Sequence, residues 1–356
     1  MWDAILLNTL KPGDRILALE SGMFSKDWAD CGTACGLTSE LMPGSWTAAV
    51  DLAKLEERLA ADSERQIRAV LAVQVDTASG IKNDIEAIGA MMRRSGHDAL
   101  FFVDAVACFA VHEMRMDAWK VDGVITASQK GLMVPPGLGL LCAGPRALAA
   151  HRAETRPGTG LSSRYWDWTF RQQKWHYFKF CGTLPEQLLF GLREALDMLK
   201  REGLEHALAR QRHCAEAVRR AVAVWAQGSD GAISFQVPKP EHRSDAVTVM
   251  RISEEYDPRE LVKYCEIHFD VVLGNAIGLL GGKGLRIASM GHVGLPQVLA
   301  VLGAVEATLG ARQVPHGPGG VSAAVAYFGQ VAAASSCHAL DKTAEKHPSV
   351  IVRTKC

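Results

Sequence analysis

The sequence predicts an α/β protein whose central sheet is mostly parallel. Up to about residue 145, short apolar runs alternate with amphipathic helical segments, and strands that alternate with helices form parallel βαβ units. The chain has 356 residues, which is enough for two domains at roughly 100–200 residues each. Apolar residues make up 48% and charged residues 22% of the chain, the composition of a globular protein with a sizeable core.

Four runs rich in Ile, Val, Leu and Phe predict buried strands in the first part of the chain. They are Arg15–Leu19, Ile67–Val73, Leu100–Val103 and Gly123–Ala127. Each is short and nearly all apolar, as expected for a strand that is covered on both faces. The runs therefore predict the core strands of the sheet.

Between these strands, apolar residues with helical spacing predict amphipathic helices, one after Asp51 and one after Asn83. Asn83 with Glu86 three residues later resembles a capping box. Gly96 suits the end of the same helix, because glycine readily adopts the left-handed conformation found there. These signals predict helices on the faces of the sheet.

The middle of the chain predicts an irregular aromatic segment followed by two long helices. Thr155–Gly182 has no sustained period and is rich in Trp, Tyr and Phe. Thr183 then predicts a helix cap, with Pro in the first turn and Glu186 at the capping-box position. That helix is expected to end at Glu202, and a second is expected over Leu204–Gln227.

After the second long helix, the order of elements changes to a compact α+β unit. We therefore predict a large domain over residues 1–203, a small C-terminal domain over 204–330 and an atypical tail over 331–356. The small domain is expected to contain strands at Ile233–Val237, Ala246–Ile252 and Leu285–Ala288, a helix over Pro258–His268 capped by Asp257, and a helix over Pro296–Leu309.

Charge and composition exclude several classes of protein. The 39 basic and 39 acidic side chains balance, so a nucleic-acid partner is not expected. The apolar runs are too short for a membrane span of about 18 residues, so a membrane partner is not expected either. Nine scattered cysteines without a signal peptide predict reduced thiols and a cytoplasmic location. Cys31 and Cys35 are one helical turn apart, but no second pair completes a metal site, so no metal is expected.

Two polar residues follow neighbouring buried strands and carry the most informative chemistry. Asp104 ends the run Phe101–Val103, and Lys130 follows Ile125–Ala127. Ligands of open α/β sheets bind beyond the carboxyl ends of the strands. A lysine there can form a Schiff base, and a carboxylate can hold a pyridine nitrogen protonated. A solvated lysine and a turn-capping aspartate explain the same residues, and the pattern alone leaves both interpretations open.

Several motifs in a fixed order carry a resemblance to a known family. The sequence resembles the class V aminotransferases, pyridoxal-phosphate enzymes of fold type I, and within them the alanine/serine–glyoxylate aminotransferases. The resemblance runs from Met1 to about Gln330. The motifs are Asp76–Gly80, Val103–Val106, Ser128–Gly131, Pro135–Gly137, Tyr165–Thr169 and Leu285–Gly291.

The resemblance implies a transaminase with pyridoxal 5'-phosphate as its cofactor. Lys130 would form the internal aldimine and then serve as the general base at the substrate Cα. Asp104 would bond the pyridinium nitrogen, and Val106 would pack on the ring face below. Thr77 would bond the 3′-oxygen of the cofactor, and Gln129 a phosphate oxygen.

The resemblance also implies residues for the substrate and for a second subunit. Phe24 would stack over the cofactor ring, although a phenylalanine at this position could also be an ordinary residue of the hydrophobic core. Arg286 would bind the α-carboxylate of a small amino acid (serine, alanine or aspartate) and of a 2-oxo acid such as glyoxylate, although it could equally be a surface residue. Thr183 would reach the phosphate of the neighbouring subunit in a homodimer, although its role as a helix cap could account for it.

The sequence departs from the family pattern at the phosphate site. The Gly-rich turn that relatives place before the helix starting at Met1 does not precede it here, and Phe180 stands where relatives carry a phosphate-binding tyrosine. Two hypotheses follow: a working aminotransferase whose start lies upstream, or a shortened, weakly cofactor-binding remnant with little activity. A desulfurase of the same fold is disfavoured, because such relatives place His before the lysine, where this chain has Gln129.

Overall fold

The computed structural model describes residues 1–154 and 163–339. The strands in chain order are β1 (Arg15–Leu19), β2 (Thr38–Met42), β3 (Ile67–Val73), β4 (Val75–Asp76), β5 (Ile81–Lys82), β6 (Leu100–Asp104), β7 (Gly123–Ala127), β8 (Gly139–Ala143), β9 (Ile233–Phe235), β10 (Val247–Ile252), β11 (Gly274–Asn275) and β12 (Gly284–Ala288). The largest sheet has six strands in the order β2-β1-β3-β6-β7-β8, all parallel except the edge strand β8, which is antiparallel to β7.

Helices cover both faces of the large sheet, and other helices pack against a smaller sheet. The helices in chain order are α1 (Trp2–Thr9), α2 (Met23–Ala34), α3 (Leu52–Ala60), α4 (Ile85–Ser95), α5 (Pro145–Glu154), α6 (Trp168–Arg171), α7 (His176–Phe180), α8 (Glu186–Glu202), α9 (Leu204–Gln227), α10 (Pro258–Phe269), α11 (Leu295–Ala311) and α12 (Gly320–Ala339). The predicted α/β fold with a mostly parallel sheet is confirmed.

Two hydrophobic clusters sandwich the large sheet. One face packs residues such as Leu17, Val70 and Phe101 against α3 and α4, and the other packs Ile16 and Phe102 against α1 and α2. Successive residues of a strand point to opposite faces, so a strand that is apolar throughout serves both clusters. The four predicted strands of this domain are all observed.

The C-terminal part of the chain forms a second, antiparallel sheet in the order β11-β12-β10-β9. Its apolar face and helices α9, α10, α11 and α12 share a separate core that contains Trp225 and Met250. The helix over Leu204–Gln227 and the capping of α10 by Asp257, which accepts a hydrogen bond from the Arg259 N–H, are as predicted. The separate core is consistent with the predicted small domain, whose boundaries stay a prediction.

The start of α4 differs from the predicted one by a residue. Asp84, rather than Asn83, accepts the cap hydrogen bond, from the Ala87 N–H at 2.9 Å. Asn83 is buried, and its amide donates to the Val73 carbonyl and to the Ser21 hydroxyl. A buried amide must satisfy its own donors, so the exposed neighbour caps the helix. The predicted stop at Gly96 is confirmed by its left-handed conformation.

The prediction that Thr183 caps α8 was wrong. The helix begins at Glu186, after Pro185, and Thr183 is exposed two residues before that proline. The residue that precedes a proline is disfavoured in the helical conformation. Leu184 therefore stays outside the helix and separates Thr183 from its first turn. The predicted end of this helix at Glu202 is confirmed.

Two segments that the sequence predicts to be irregular contain helices. Short helices α6 and α7 interrupt the aromatic segment, and residues 155–162 of that segment lie outside the described residues. Helix α12 continues through the first part of the predicted tail, up to Ala339. The alanine-rich run there has high helix propensity even without apolar periodicity. The rest of the tail, residues 340–356, lies outside the described residues.

None of the helices in the described ranges combines the length with the apolarity needed to cross a membrane.

Candidate active site

A cavity of about 560 Å³ opens at the carboxyl ends of β3, β6 and β7. The position agrees with the general rule for open α/β sheets, where loops after parallel strands converge on a ligand. Six of the eight site residues predicted from the sequence line this one cavity: Phe24, Thr77, Asp104, Val106, Gln129 and Lys130.

Asp104 is the buried acid of the cavity. It ends β6, and its side chain is almost fully shielded from solvent. One carboxylate oxygen accepts the Val106 N–H at 2.7 Å, and the other accepts the indole N–H of Trp2 at 2.7 Å. Burial raises the pKa of Asp104 to about 6, and the two hydrogen bonds oppose that shift. Each carboxylate oxygen has two lone-pair sites, so the group can still accept a bond from a ligand.

Lys130 lies in the turn after β7 and faces the same cavity. Burial lowers the pKa of this amine, and the positive charge of Arg286 lowers it further. Both effects favour the neutral form, because the charged form loses hydration and is repelled by a like charge. The surroundings of Lys130 thus shift a partly buried amine toward the form that can act as a nucleophile.

Arg286 lies on β12 of the second sheet and is not among the described residues that line the cavity, but it bonds Thr77, which is. Its guanidinium donates to the carbonyl oxygen of Thr77 at 3.1 Å and to that of Asn275 at 2.8 Å. Thr77 itself lines the cavity, so the first bond brings the C-terminal sheet against the loop after β3. Burial lowers the pKa of Arg286, and the charge of Asp76 opposes that shift.

Thr183 and the aromatic segment lie elsewhere. Of the residues that the structure describes, Thr183 and Phe180 are not among those that line the cavity. The aromatic segment instead contacts α1: Asn8 donates to the carbonyl of Trp166 at 2.8 Å and accepts the N–H of Trp168 at 3.0 Å. In the described residues, this segment is therefore tied to helix α1 through Asn8.

With this geometry in view, comparison with known proteins identifies the family. The family "Aminotransferase class-V" matches residues 3–273. A serine–glyoxylate aminotransferase from Methylorubrum extorquens is 37% identical over 334 residues, which cover 92% of this chain and 80% of that protein. An L-aspartate–glyoxylate aminotransferase from Paracoccus denitrificans is 33% identical and covers 94% of this chain and 82% of that protein.

The chain belongs to the class V aminotransferases. Members of this family use pyridoxal phosphate, and the chain is a pyridoxal-phosphate-dependent aminotransferase of fold type I. Among solved structures, ureidoglycine–glyoxylate aminotransferase from Bacillus subtilis superposes with a TM-score of 0.81 at 25% identity, covering 92% of this chain and 81% of that one. The predicted family, fold and cofactor are thereby confirmed.

The structure of this class V aminotransferase adds cavity residues that the sequence did not point to. Trp2 reaches Asp104 across 102 positions of sequence, and Cys31 lines the cavity beside Phe24. Burial raises the pKa of the Cys31 thiol to about 12, so the thiol is a poor nucleophile. Neither residue belongs to a motif, and a contact of such sequence separation follows only from the packing of α1 and α2 against the sheet.

Proposed function

We propose that this protein transfers an amino group from a small amino acid to glyoxylate or a similar 2-oxo acid. The observation that carries the proposal is the convergence of Lys130, Asp104 and Thr77 on one cavity in a class V aminotransferase. The relatives named above share glyoxylate in their names but differ in the amino donor, which is serine in one and aspartate in another. Serine, alanine and aspartate are the donors that we propose.

The described residues fit pyridoxal phosphate. The cavity is large enough for a substituted pyridine, and it combines an amine of lowered pKa with a buried carboxylate. Phe24 and Val106 supply apolar contacts for an aromatic ring, and Thr77 and Gln129 supply polar ones. The bound cofactor would act as the electron sink for the carbanion that forms at the substrate Cα.

In this proposal Lys130 performs the proton transfer. Lys130 would hold the cofactor covalently through its amine and, with substrate bound, would serve as the base that removes the proton from the substrate Cα. Asp104 would accept a hydrogen bond from the ring nitrogen and keep that nitrogen protonated. The pKa of Asp104, raised to about 6, still leaves the acid ionised at neutral pH, as this role requires.

Arg286 would bind the α-carboxylate that every donor and acceptor shares. Two of its N–H groups already bond the Thr77 and Asn275 carbonyls, which fixes the guanidinium plane and leaves donors for a carboxylate. A fixed guanidinium pairs with a carboxylate in a defined orientation. The residue would therefore orient the Cα–H bond toward Lys130.

We further propose a homodimer with shared active sites, in which Thr183 reaches the phosphate of the neighbouring subunit. Large apolar side chains are exposed between residues 165 and 204, on and around α7 and α8, and such patches mark interaction surfaces. They are Tyr165, Trp175, Tyr177, Phe190, Leu196 and Leu204.

We also propose a cytoplasmic location. Seven cysteines are free thiols, and three of them, Cys108, Cys214 and Cys265, are buried. Free buried thiols are typical of a reducing compartment. Cell fractionation with a compartment marker would test this location, and recovery in an oxidising compartment would contradict it.

The first test of the function replaces Lys130. Wild-type protein with added pyridoxal phosphate should show visible absorbance from the bound cofactor and transaminate glyoxylate, because the amine binds the aldehyde covalently. Lys130→Ala should lose that absorbance and lower kcat by at least about 10³-fold. Lys263→Ala, which removes an exposed lysine of α10, is the matched control and should behave as wild type.

A second test identifies the donor. Steady-state kcat/KM values with serine, alanine and aspartate, each with glyoxylate as acceptor, rank the side chains that the site accepts. If wild type shows neither the absorbance nor turnover with any donor, the proposed function is wrong for this chain.

A further inference from the structure

The helix that carries Phe24 begins in an unusual way. Helix α2 starts at Met23, and Gly22 occupies its N-cap position. An N-cap residue normally uses a side-chain oxygen to accept the N–H groups of the second and third helical residues. Glycine has no such oxygen, so those N–H groups, which belong to Phe24 and Ser25, need an acceptor from elsewhere in the chain.

Asp76, on the short strand β4, supplies that acceptor. One of its carboxylate oxygens accepts the Phe24 N–H at 2.9 Å and the Ser25 N–H at 3.2 Å, and the other accepts the Ala78 N–H at 3.1 Å. The side chain is fully buried. The carboxylate also faces the positive end of the helix dipole, which strengthens these bonds.

Gly22 and Asp76 fit together sterically. A Cβ atom on residue 22 would lie 2.2 Å from the carboxyl carbon of Asp76, a distance that no real contact shows. The carboxylate therefore occupies the space that a side chain at the N-cap would fill. The glycine at position 22 leaves room for the carboxylate of Asp76, which caps α2 in place of a side chain from the N-cap residue itself.

The same acid belongs to the loop that supplies Thr77. Ala78, whose N–H bonds Asp76, follows Thr77 directly, and Ser79 donates to the Ser21 carbonyl at 2.7 Å. Two sets of hydrogen bonds therefore join the start of α2 to residues 76–79. Phe24 and Ser25 donate to Asp76, and Ser79 donates to Ser21. Phe24 and Thr77 line the cavity from these two elements.

We infer that Asp76 is a positioning residue for the cofactor site, which holds Phe24 of α2 and Thr77 in a fixed relation across the cavity. The inference rests on the proposed function, because the two residues it positions are those proposed to contact pyridoxal phosphate. Asp76 itself acts through hydrogen bonds to the backbone. Removal of its charge should therefore weaken cofactor binding mainly through the contact that Phe24 makes.

A double-mutant cycle tests this coupling. The dissociation constant of pyridoxal phosphate is measured by absorbance titration for wild type, Asp76→Asn, Phe24→Ala and the double variant, with thermal unfolding as a check on folding. Asp76→Asn presents an amide N–H₂ to backbone donors and should weaken binding about 10-fold. Asp51→Asn is the control, because Asp51 also accepts two helix N–H groups, but at the exposed start of α3. It should leave cofactor affinity unchanged.

The cycle separates the possible outcomes. If Asp76 acts through Phe24, the double variant binds the cofactor no more than about twofold more weakly than Phe24→Ala alone. If the two effects multiply, or if Asp76→Asn binds as wild type does, the inference is wrong while the proposed function stands. If wild type gives no cofactor absorbance, the proposed function itself fails.

Should Asp76→Asn not fold, Gly22→Ala takes its place in the cycle. This variant keeps the acid but displaces it sterically, and the same coupling with Phe24→Ala is expected.

Discussion

At the scale of single residues, the buried acid of the candidate site lowers the stability of the unliganded protein. Asp104 is buried beside the indole of Trp2 and the backbone of Val106, and its pKa is raised to about 6. Ionised at neutral pH, it destabilises the unliganded fold, because burial penalises the charged form more than its two hydrogen bonds favour it. The pKa of Asp76 is raised to about 6 by burial as well. Buried acids with raised pKa values cluster at functional sites, where they bind a ligand or position the residues that do.

The raised pKa of Asp104 predicts a specific pH dependence of stability. Between about pH 4 and pH 6 the folded chain keeps a proton on Asp104 that the unfolded chain has lost, so the free energy of unfolding falls as pH rises through this window. Asp104→Asn should remove this part of the dependence. The variant should be up to about 3 kcal/mol more stable than wild type at pH 7 and should have lost transaminase activity.

Urea unfolding of the unliganded protein at pH 4.5 and pH 7 gives the two free energies. Asp117→Asn, at an exposed aspartate, serves as the control and should follow the wild-type curve. An Asp104→Asn protein with the same pH dependence as wild type would show that Asp104 is not the group that titrates in this window.

At the scale of elements, the start of α4 shows how burial redistributes local signals. Both Asn83 and Asp84 are residue types that suit an N-cap, and the capping-box pattern predicted Asn83. The structure gives the cap to Asp84 because the amide of Asn83 bonds Ser21 and Val73, while its oxygen accepts the Val50 N–H. Asn83 thus ties two loops to the end of β3.

The two neighbours should therefore differ in their contribution to stability. Asp84→Ala removes an exposed cap and should lower the free energy of unfolding by about 1 kcal/mol. Asn83→Ala leaves buried partners unsatisfied and should cost about 2–4 kcal/mol. Chemical denaturation of both variants measures the difference, and equal losses would mean that Asn83 does not hold the loops as the structure indicates.

At the scale of the whole molecule, the proposed dimer depends on the apolar surface near α8. Phe190 is 74% exposed there, and a charge at this position would be buried without a partner in a dimer. Phe190→Asp should yield a monomer that folds, with kcat reduced at least about 10-fold because Thr183 no longer reaches the second site. Analytical ultracentrifugation and steady-state kinetics measure the two effects.

Val272 provides the matched control, because it is 75% exposed but lies between α10 and β11 rather than on α8. Val272→Asp should leave both the mass of the assembly and kcat unchanged. A Phe190→Asp protein with the mass of wild type would contradict the proposed interface, as would a wild-type protein that is a monomer.

The periodicity of the sequence determined which parts of the chain form the core. The runs that become β1, β3, β6 and β7 are covered on both faces, so nearly all of their residues are apolar and the signal is almost continuous. The edge strand β2 was not predicted, because a half-exposed strand carries mixed residues. The edge strand β8 was not predicted either, because a short apolar run that begins with glycine does not by itself indicate a strand. The helix over residues 331–339 was not predicted, because these residues favour a helix by their intrinsic propensity but do not repeat apolar side chains at the helical spacing.

The motifs of the sequence predicted residues that line one cavity, and only the tertiary structure decided how those residues are held. Lys130 and Asp104 are recognisable because their chemistry requires particular side chains after particular strands. Three contacts join elements that are far apart in sequence: the carboxylate of Asp76 at the start of α2, the indole of Trp2 on Asp104, and the guanidinium of Arg286 at the Thr77 carbonyl. Local patterns encode periodicity and capping, whereas a contact across a hundred residues exists only once the helices have packed on the sheet.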